Sequence, residues 1–332
     1  MTEGASESAG ADGRPNLEDE AVVVARSLSK RFGERVALQN VSFSLNPREV
    51  LGYVGPNGAG KTTTLRILVG TETDFAGELS VHSRPMPRRR EEVYGRLGYM
   101  PQGVAFGGWR TAGETLRLLG RLSGLEPKRL ERRVAETLEL VGLADEARTR
   151  VSAFSGGMVQ RLGLAQAILH EPGLLVLDEP FNHLDPAGRV HLKRLLSELN
   201  ARGVAILFSS HILADVEAIV HRLVVLQRGK VRFTGTPAEL SENAAGAQEV
   251  EIGCSDPEAG LTLAAAVPGV ASARAENGGA LRLALEAGAA PEEVTTRVLS
   301  ALIAAGQSIH HVRPMAPGLE EVVARLGEEA AP

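Results

Sequence analysis

Between Ala21 and Leu226 the chain alternates short apolar runs with stretches of helical period. Ala21–Ala25 is apolar and rich in β-branched valine. Val41–Leu45 alternates apolar and polar residues as a half-buried strand does. Val50–Val54 runs directly into a glycine-rich segment, and Lys61–Val69 then reads as a helix with Leu65, Leu68 and Val69 on one face. Residues 105–170 change character. Glu114–Gly124, Pro127–Val141 and Ser155–His170 have helical period and predict a mainly helical insertion. Apolar strands return at Leu174–Leu177 and Val204–Phe208. Such runs with helices between them predict a parallel sheet covered on both faces. Leu223–Leu226 and Lys230–Thr234 read as a strand pair turning at Arg228-Gly229.

A second, smaller α+β unit is expected over 248–332, after a short helix and linker at 237–248. Val250–Cys254, Leu281–Leu285 and Ser308–Arg313 predict strands there. Pro291–Ala305 predicts a helix with Val294, Val298, Leu299 and Leu302 inward, and Leu319–Leu326 a closing helix. Met1–Glu20 is too polar to bury itself and is expected to be a disordered tail, without the basic and apolar regions of a secretory signal.

Composition narrows the function. The chain has 332 residues, is 43% hydrophobic and carries a net charge of −5, which argues against a dedicated nucleic-acid binder. Arg88-Arg89-Arg90 is read as a solvated basic loop. The single cysteine, Cys254, fits a reducing compartment and a packing role. No apolar run approaches the ~20 residues that span a bilayer. Any membrane part of the process would come from another chain.

Three segments carry chemistry. Gly55-Pro56-Asn57-Gly58-Ala59-Gly60-Lys61-Thr62 fits G-x-x-x-x-G-K-[ST], after a strand and at the start of a helix. Glycines let successive N–H groups curl around phosphate oxygens, and the helix N-terminus favours the anion. Lys61 would sit between the β- and γ-phosphates and the Thr62 hydroxyl would ligate Mg²⁺. Leu174–Leu177 ends in Asp178 and Glu179. Asp178 can hold Mg²⁺ through water, and Glu179 can polarise an attacking water. Phe154-Ser155-Gly156-Gly157-Met158 opens a second helix, and with it a second anion-seeking N-terminus. One explanation for two phosphate loops in one chain is a dimer that clamps each ATP between loops of different subunits.

Over residues 21–240 the chain resembles the nucleotide-binding subunit of ABC (ATP-binding cassette) transporters, because these motifs and others occur in that family's order. Gly55–Thr63 matches the Walker A loop, so Thr63 joins the phosphate ligands. Gln102 in Gly98-Tyr99-Met100-Pro101-Gln102 matches the Q-loop. Ser155–Met158 matches the signature, and Asp178 and Glu179 match Walker B and its catalytic glutamate. Leu184-Asp185-Pro186 matches the D-loop, and His211 the switch histidine. Phe32, in Lys30-Arg31-Phe32-Gly33, falls where the family places an aromatic that stacks on adenine.

The resemblance implies a P-loop NTPase fold with a parallel-sheet core, an antiparallel β subdomain and a helical subdomain over about 105–170. It implies that Thr62 and Gln102 touch Mg²⁺ and that His211 reaches the γ-phosphate. Ser155, Gly156 and Gly157 would contact the ATP held by the opposite subunit, and Asp185 would link the two sites. The implied partners are a second copy or a homologous ATPase, and a separate transmembrane permease that holds the protein at the cytoplasmic face of the membrane. Two positions depart from the pattern. Met158 replaces the usual Gln, a variation familiar among export-type subunits. His183 replaces Gly before Leu-Asp-Pro, where a positive φ would cost a histidine more than a glycine.

The last ninety or so residues resemble, less strongly, the extension of the drug-export branch similar to daunorubicin-resistance ATPases. The clues are the Val267-Pro268-Gly269-Val270 turn and the Leu319–Val322 helix. Export of a drug-like or toxic compound is therefore expected. The competing readings are a non-transport ABC ATPase acting on ribosome or DNA, a switch GTPase sharing only the loop, and a regulator that binds without hydrolysis. Trp109 is open between packing in the insertion and touching the permease. His82, His170, His191 and His221 lack metal spacing.

Overall fold

The computed structural model describes residues 21–243, 249–276, 279–286 and 288–315. The predicted tail at 1–20 and the helix at Leu319–Leu326 lie outside them. The chain divides between Thr236 and Pro237 into two compact units.

The first unit opens with β1 (Val23–Phe32) and β2 (Arg35–Leu45), an antiparallel hairpin joined later by β4 (Ala76–Val81) and the short β5 (Arg84–Pro85) in the order β2-β1-β4-β5. The expected strand at Ala21–Ala25 is only the start of β1. Irregular register between Ala25 and Leu28, and again to Lys30, breaks the alternation and hides the strand's continuation. Between these strands come β3 (Val50–Val54) and α1 (Lys61–Leu68). After β5 follow α2 (Arg90–Tyr94) and β6 (Leu97–Met100).

The helical insertion contains α3 (Ala112–Leu122), α4 (Pro127–Leu140), a 3₁₀ turn at Val151–Ala153 and α5 (Gly156–Ile168). Thr111 and Glu114 form a reciprocal cap at the start of α3, and Pro127 occupies the first turn of α4. The core sheet is completed by β7 (Leu174–Leu177), α6 (Pro186–Ala201), β8 (Ala205–Ser210), α7 (Leu213–Glu217), β9 (Arg222–Gln227) and β10 (Lys230–Gly235).

Six strands run in the order β10-β9-β3-β8-β7-β6; five are mutually parallel and β10 is antiparallel to β9. Every residue of β3, β7 and β8 is buried, as expected of parallel strands covered on both faces. One apolar cluster joins this sheet to the antiparallel one, with Leu28, Leu45, Tyr53, Leu65, Val81 and Leu207 fully enclosed. The crossover order fixes the site. β3, β7 and β8 are neighbours, so their C-terminal ends deliver the loops after Val54, Leu177 and Ser210 to one edge of the sheet.

The second unit begins with α8 (Pro237–Asn243) and contains β11 (Glu249–Cys254), α9 (Pro257–Ala265), β12 (Val270–Glu276), β13 (Ala280–Leu285), α10 (Pro291–Ala304) and β14 (Ile309–Met315). Its strands form an antiparallel sheet in the order β12-β13-β11-β14. Ala264 of α9 and Val294, Val298 and Leu302 of α10 pack with Val250, Ile252 and Leu283 in its core. Cys254 is buried there and burial pushes its thiol pKa up, which suits packing rather than reactivity. Among the described residues no helix is long and apolar enough to cross a membrane.

Candidate functional site

The loop after β3 is shaped by two glycines that nothing else can replace. Gly55 has φ 155°, and a Cβ on it would lie 2.1 Å from the Leu226 carbonyl oxygen. Gly60 caps α1 at φ 111°, and a Cβ there would meet the Ala37 carbonyl oxygen at 2.6 Å. The backbone thus passes flush against β2 and β9, leaving Asn57–Thr63 to wrap an open cavity of about 380 Å³ at the start of α1. Phe32, Gln102 and Glu179 also line it, so these expected nucleotide contacts share one cavity with Asn57–Thr63, whereas Gly55, Pro56, Asp178 and His211 are not part of its lining.

Lys61 and Glu179 of the cavity lining belong to a chain of three charged or titratable groups that ends at His211. Lys61 Nζ donates to the Gly55 carbonyl at 2.7 Å and to the Pro56 carbonyl at 3.3 Å, and lies 3.2 Å from Glu179 Oε1. Glu179 Oε2 is 2.8 Å from His211 Nδ1. Lys61 and Glu179 are buried, where an unpaired charge would be expensive, so each holds the other in place.

Glu179 itself has a left-handed backbone, φ 52°. Bulky residues rarely adopt this conformation unless their surroundings impose it. Here side chains hold the backbone on both sides. The Ser209 hydroxyl accepts the Glu179 N–H at 2.8 Å, and the buried Gln160 amide donates to the carbonyls of Glu179 and Pro180, each at 3.1 Å. Gln160→Ala is therefore expected to lower turnover about 10-fold or more by letting Glu179 relax, with the KM for ATP little changed. Steady-state kinetics check this; a raised KM at unchanged kcat would be contrary.

Asp178 is fully buried. Ser209 Oγ donates to its Oδ1 at 2.7 Å, while Oδ2 has no hydrogen-bond partner among the described residues. Desolvation pushes this carboxyl above the ordinary carboxylate range, and the neighbouring Ser209 and Thr62 hydroxyls pull the other way. A buried carboxylate oxygen without a donor, beside a threonine hydroxyl and below a phosphate loop, has the chemistry of a hard-cation site.

Other predicted residues stand apart. Ser155, Gly156 and Gly157 do not line the cavity. The Ser155 hydroxyl caps α5 by accepting the Met158 N–H at 3.3 Å. Asp185 likewise caps α6, accepting the Gly188 N–H at 2.9 Å. The two loops touch. A Cβ on Gly156 would be 3.5 Å from His183 Cβ, and one on Gly157 would be 3.1 Å from the His183 carbonyl oxygen. His183 does adopt positive φ, 61°, the conformation anticipated for its position.

Trp109 is 68% exposed with the Arg110 guanidinium 3.9 Å from its ring centroid, which goes against packing inside the insertion, one of its two open readings. Three of the histidines without metal spacing have structural partners: His170 and His191 bond the Leu97 and Leu140 carbonyls, and His221 Nδ1 accepts the Val50 N–H. The buried Nε2 of His82 has no hydrogen-bond partner among the described residues.

Three residues at the site went unread in the sequence: Gln160, Ser209 and Arg35, the last of which lines the cavity. Only Arg35 left a local signal. Gly33-Glu34 is a two-residue connection of the kind that joins paired strands, and it sets Arg35 opposite Phe32.

Residues 38–182 match the family model for the ABC transporter. An uncharacterized ABC transporter ATP-binding protein, YxlF of Bacillus subtilis (strain 168), is 42% identical over 216 residues, 65% of this chain and 71% of its own. The Nod factor export ATP-binding protein I of Paraburkholderia xenovorans (strain LB400) is 37% identical over 72% of this chain and 79% of its own. The linearmycin resistance ATP-binding protein LnrL of Bacillus subtilis (strain 168) is 32% identical over 67% and 71%. Among solved structures, an ATP-binding subunit of an ABC transporter superposes with TM-score 0.62 at 30% identity, over 68% of this chain and 93% of that one. A dimeric ATP-binding cassette bound to ADP and Pi shares the fold at TM-score 0.60 and 23% identity, over 64% of this chain and 98% of that one. On this sequence and structural likeness the chain belongs to the ABC transporter family, as one of its ATP-binding, ATP-hydrolysing proteins.

Proposed function

We propose that this ATPase works as a pair closed around two ATP molecules and drives export of a drug-like or toxic compound through a separate membrane permease, at the cytoplasmic face. The observation that carries the pairing is the division of the phosphate-seeking elements. Lys61, Glu179 and His211 line up in one place, while the capped start of α5 with Gly156 and Gly157 lies outside that cavity. Each chain thus offers a half-site to a partner.

Within the cavity the residues do separable work. Lys61 and the loop amides bind phosphate; an arriving γ-phosphate competes with Glu179 for the Lys61 ammonium. Glu179 Oε1 is then released to accept a proton from the attacking water, while His211 keeps hold of Oε2 and so of the carboxylate's direction. Phe32 offers a face to the base. The residues that fit Mg²⁺ are Thr62, Gln102 and Asp178, whose Oδ2 lacks a partner among the described residues. When bound, the ion would neutralise charge on the phosphate oxygens. Asp185, beside the His183 turn, is the residue we assign to contact between the two sites.

Export is supported by the names of two relatives, one of Nod factor export and one of linearmycin resistance. The test is to purify tagged Glu179→Gln protein, with ATP, from gently solubilised membranes of the source organism. The expected complex holds two ATPase chains and a multi-span membrane protein. Recovery with ribosomes or DNA, and nothing from the membrane, would overturn the permease reading in favour of a non-transport ATPase.

A further inference from the structure

The β1–β2 hairpin places two exposed side chains at the mouth of the cavity. Phe32 and Arg35 are register partners across the Gly33-Glu34 turn, where Gly33 supplies φ 56°. Residues directly opposite in an antiparallel pair project from the same face. Phe32 is 48% exposed and Arg35 is exposed, and both line the cavity with the phosphate loop. Arg35 leans over the loop, since a Cβ built on Gly58 would lie 3.5 Å from its Nη2.

The charge balance makes this position informative. Lys61, Arg35 and Arg66 are the cations of the cavity lining, and Glu179 its carboxylate. Lys61 already spends its charge on Glu179. Lys30, on β1 with Phe32, is tied to Glu72 and Asp74. The Arg35 guanidinium makes no hydrogen bond or ion pair among the described residues. An unpaired planar fork of N–H donors, held over the phosphate loop at Gly58, suits a phosphate group, which it can meet with two parallel hydrogen bonds.

We propose that Arg35 is a nucleotide-binding residue that grips the phosphate nearest the sugar, so that the hairpin holds the base through Phe32 and the α-phosphate through Arg35. This assignment rests on ATP occupying the phosphate loop. The order follows from the geometry: Lys61 and Glu179 mark the γ end, and Arg35 stands on the element that carries Phe32. The α-phosphate is common to ATP and ADP, so Arg35 acts on both alike.

The test is equilibrium titration of ATP and of ADP into the full-length wild type, Arg35→Ala, Arg35→Lys and Lys61→Ala, with turnover measured at saturating ATP. Arg35→Ala is expected to weaken ATP and ADP by the same factor, about 10- to 100-fold, the loss of one charge-assisted contact. Its kcat at saturation stays within about twofold of wild type. Arg35→Lys recovers part of the affinity, because a lysine brings the charge without the fork. Affinity in Arg35→Ala within twofold of wild type would overturn the proposal, as would a loss confined to ATP. Failure of the wild type itself to bind ATP, or full binding by Lys61→Ala, would instead sink the underlying assignment of the phosphate loop. Arg35 is exposed, so an unchanged melting temperature separates a binding defect from a folding one.

Discussion

Glu179→Gln is expected to stop turnover while leaving ATP bound. The amide cannot take a proton from water, and removal of a positioned general base costs about 10²- to 10⁴-fold in rate. ATP affinity should hold or rise, because the carboxylate that competes with the γ-phosphate for Lys61 at 3.2 Å has been neutralised. The nearby contacts favour a folded variant: Ser209 and Gln160 bond the backbone at position 179, not its side chain. Single-turnover hydrolysis beside equilibrium ATP binding checks both halves. A rate within threefold of wild type would mean that water is activated elsewhere.

Lys61→Ala should do the reverse and remove binding itself. The ammonium makes charge-assisted contacts that are each worth ~1.5–3 kcal/mol, so an affinity loss of about 10²-fold or more is expected. A second term adds to it. Without Lys61 the buried Glu179 carboxylate faces the arriving phosphates without the ammonium that now pairs with it at 3.2 Å. The Gly55 and Pro56 carbonyls also lose their donor, so the nucleotide-free protein should melt lower. Calorimetric titration with ATP and a thermal melt measure the two effects separately. Unchanged ATP affinity would remove the phosphate loop from the mechanism.

How far the sequence could be read depended on whether the constraint was local. The phosphate loop was legible because its glycines answer to the backbone: the φ values of Gly55 and Gly60 and the nearby carbonyls of Leu226 and Ala37 exclude a side chain. Strands β3, β7 and β9 were legible because burial on both faces makes them continuous apolar runs. By contrast, β1 was seen only at its start, because register shifts break its period, and β12 (Val-Ala-Ser-Ala-Arg-Ala-Glu) offers small and exposed residues with little contrast between faces. The helix expected between β7 and β8, which is α6, was given no bounds, and α9 was left unassigned.

At the site, the titratable residues were found through motif spacing, but their supports were not. Gln160 meets carbonyls 19 and 20 residues further on, and Ser209 meets groups 30 and 31 residues earlier. Those contacts exist only once β7 and β8 lie side by side and α5 packs against β6, the neighbour of β7. His183 is an intermediate case: its cost was visible from residue type, and its contact with Gly156 only from the fold.

Gln160 lies one helical turn into α5, about 6 Å along the axis from Gly156. So short a helical segment does not bend appreciably. It behaves as a stiff lever whose outer end is the capped signature loop and whose inner end grips the carbonyls of Glu179 and Pro180. If the loop is pushed, the grip must follow by nearly the same distance. In the paired arrangement proposed above, seating one nucleotide would therefore tug the carboxylate that serves the other. The two hydrolysis events would be geared together rather than independent, with a buried glutamine amide as the tooth.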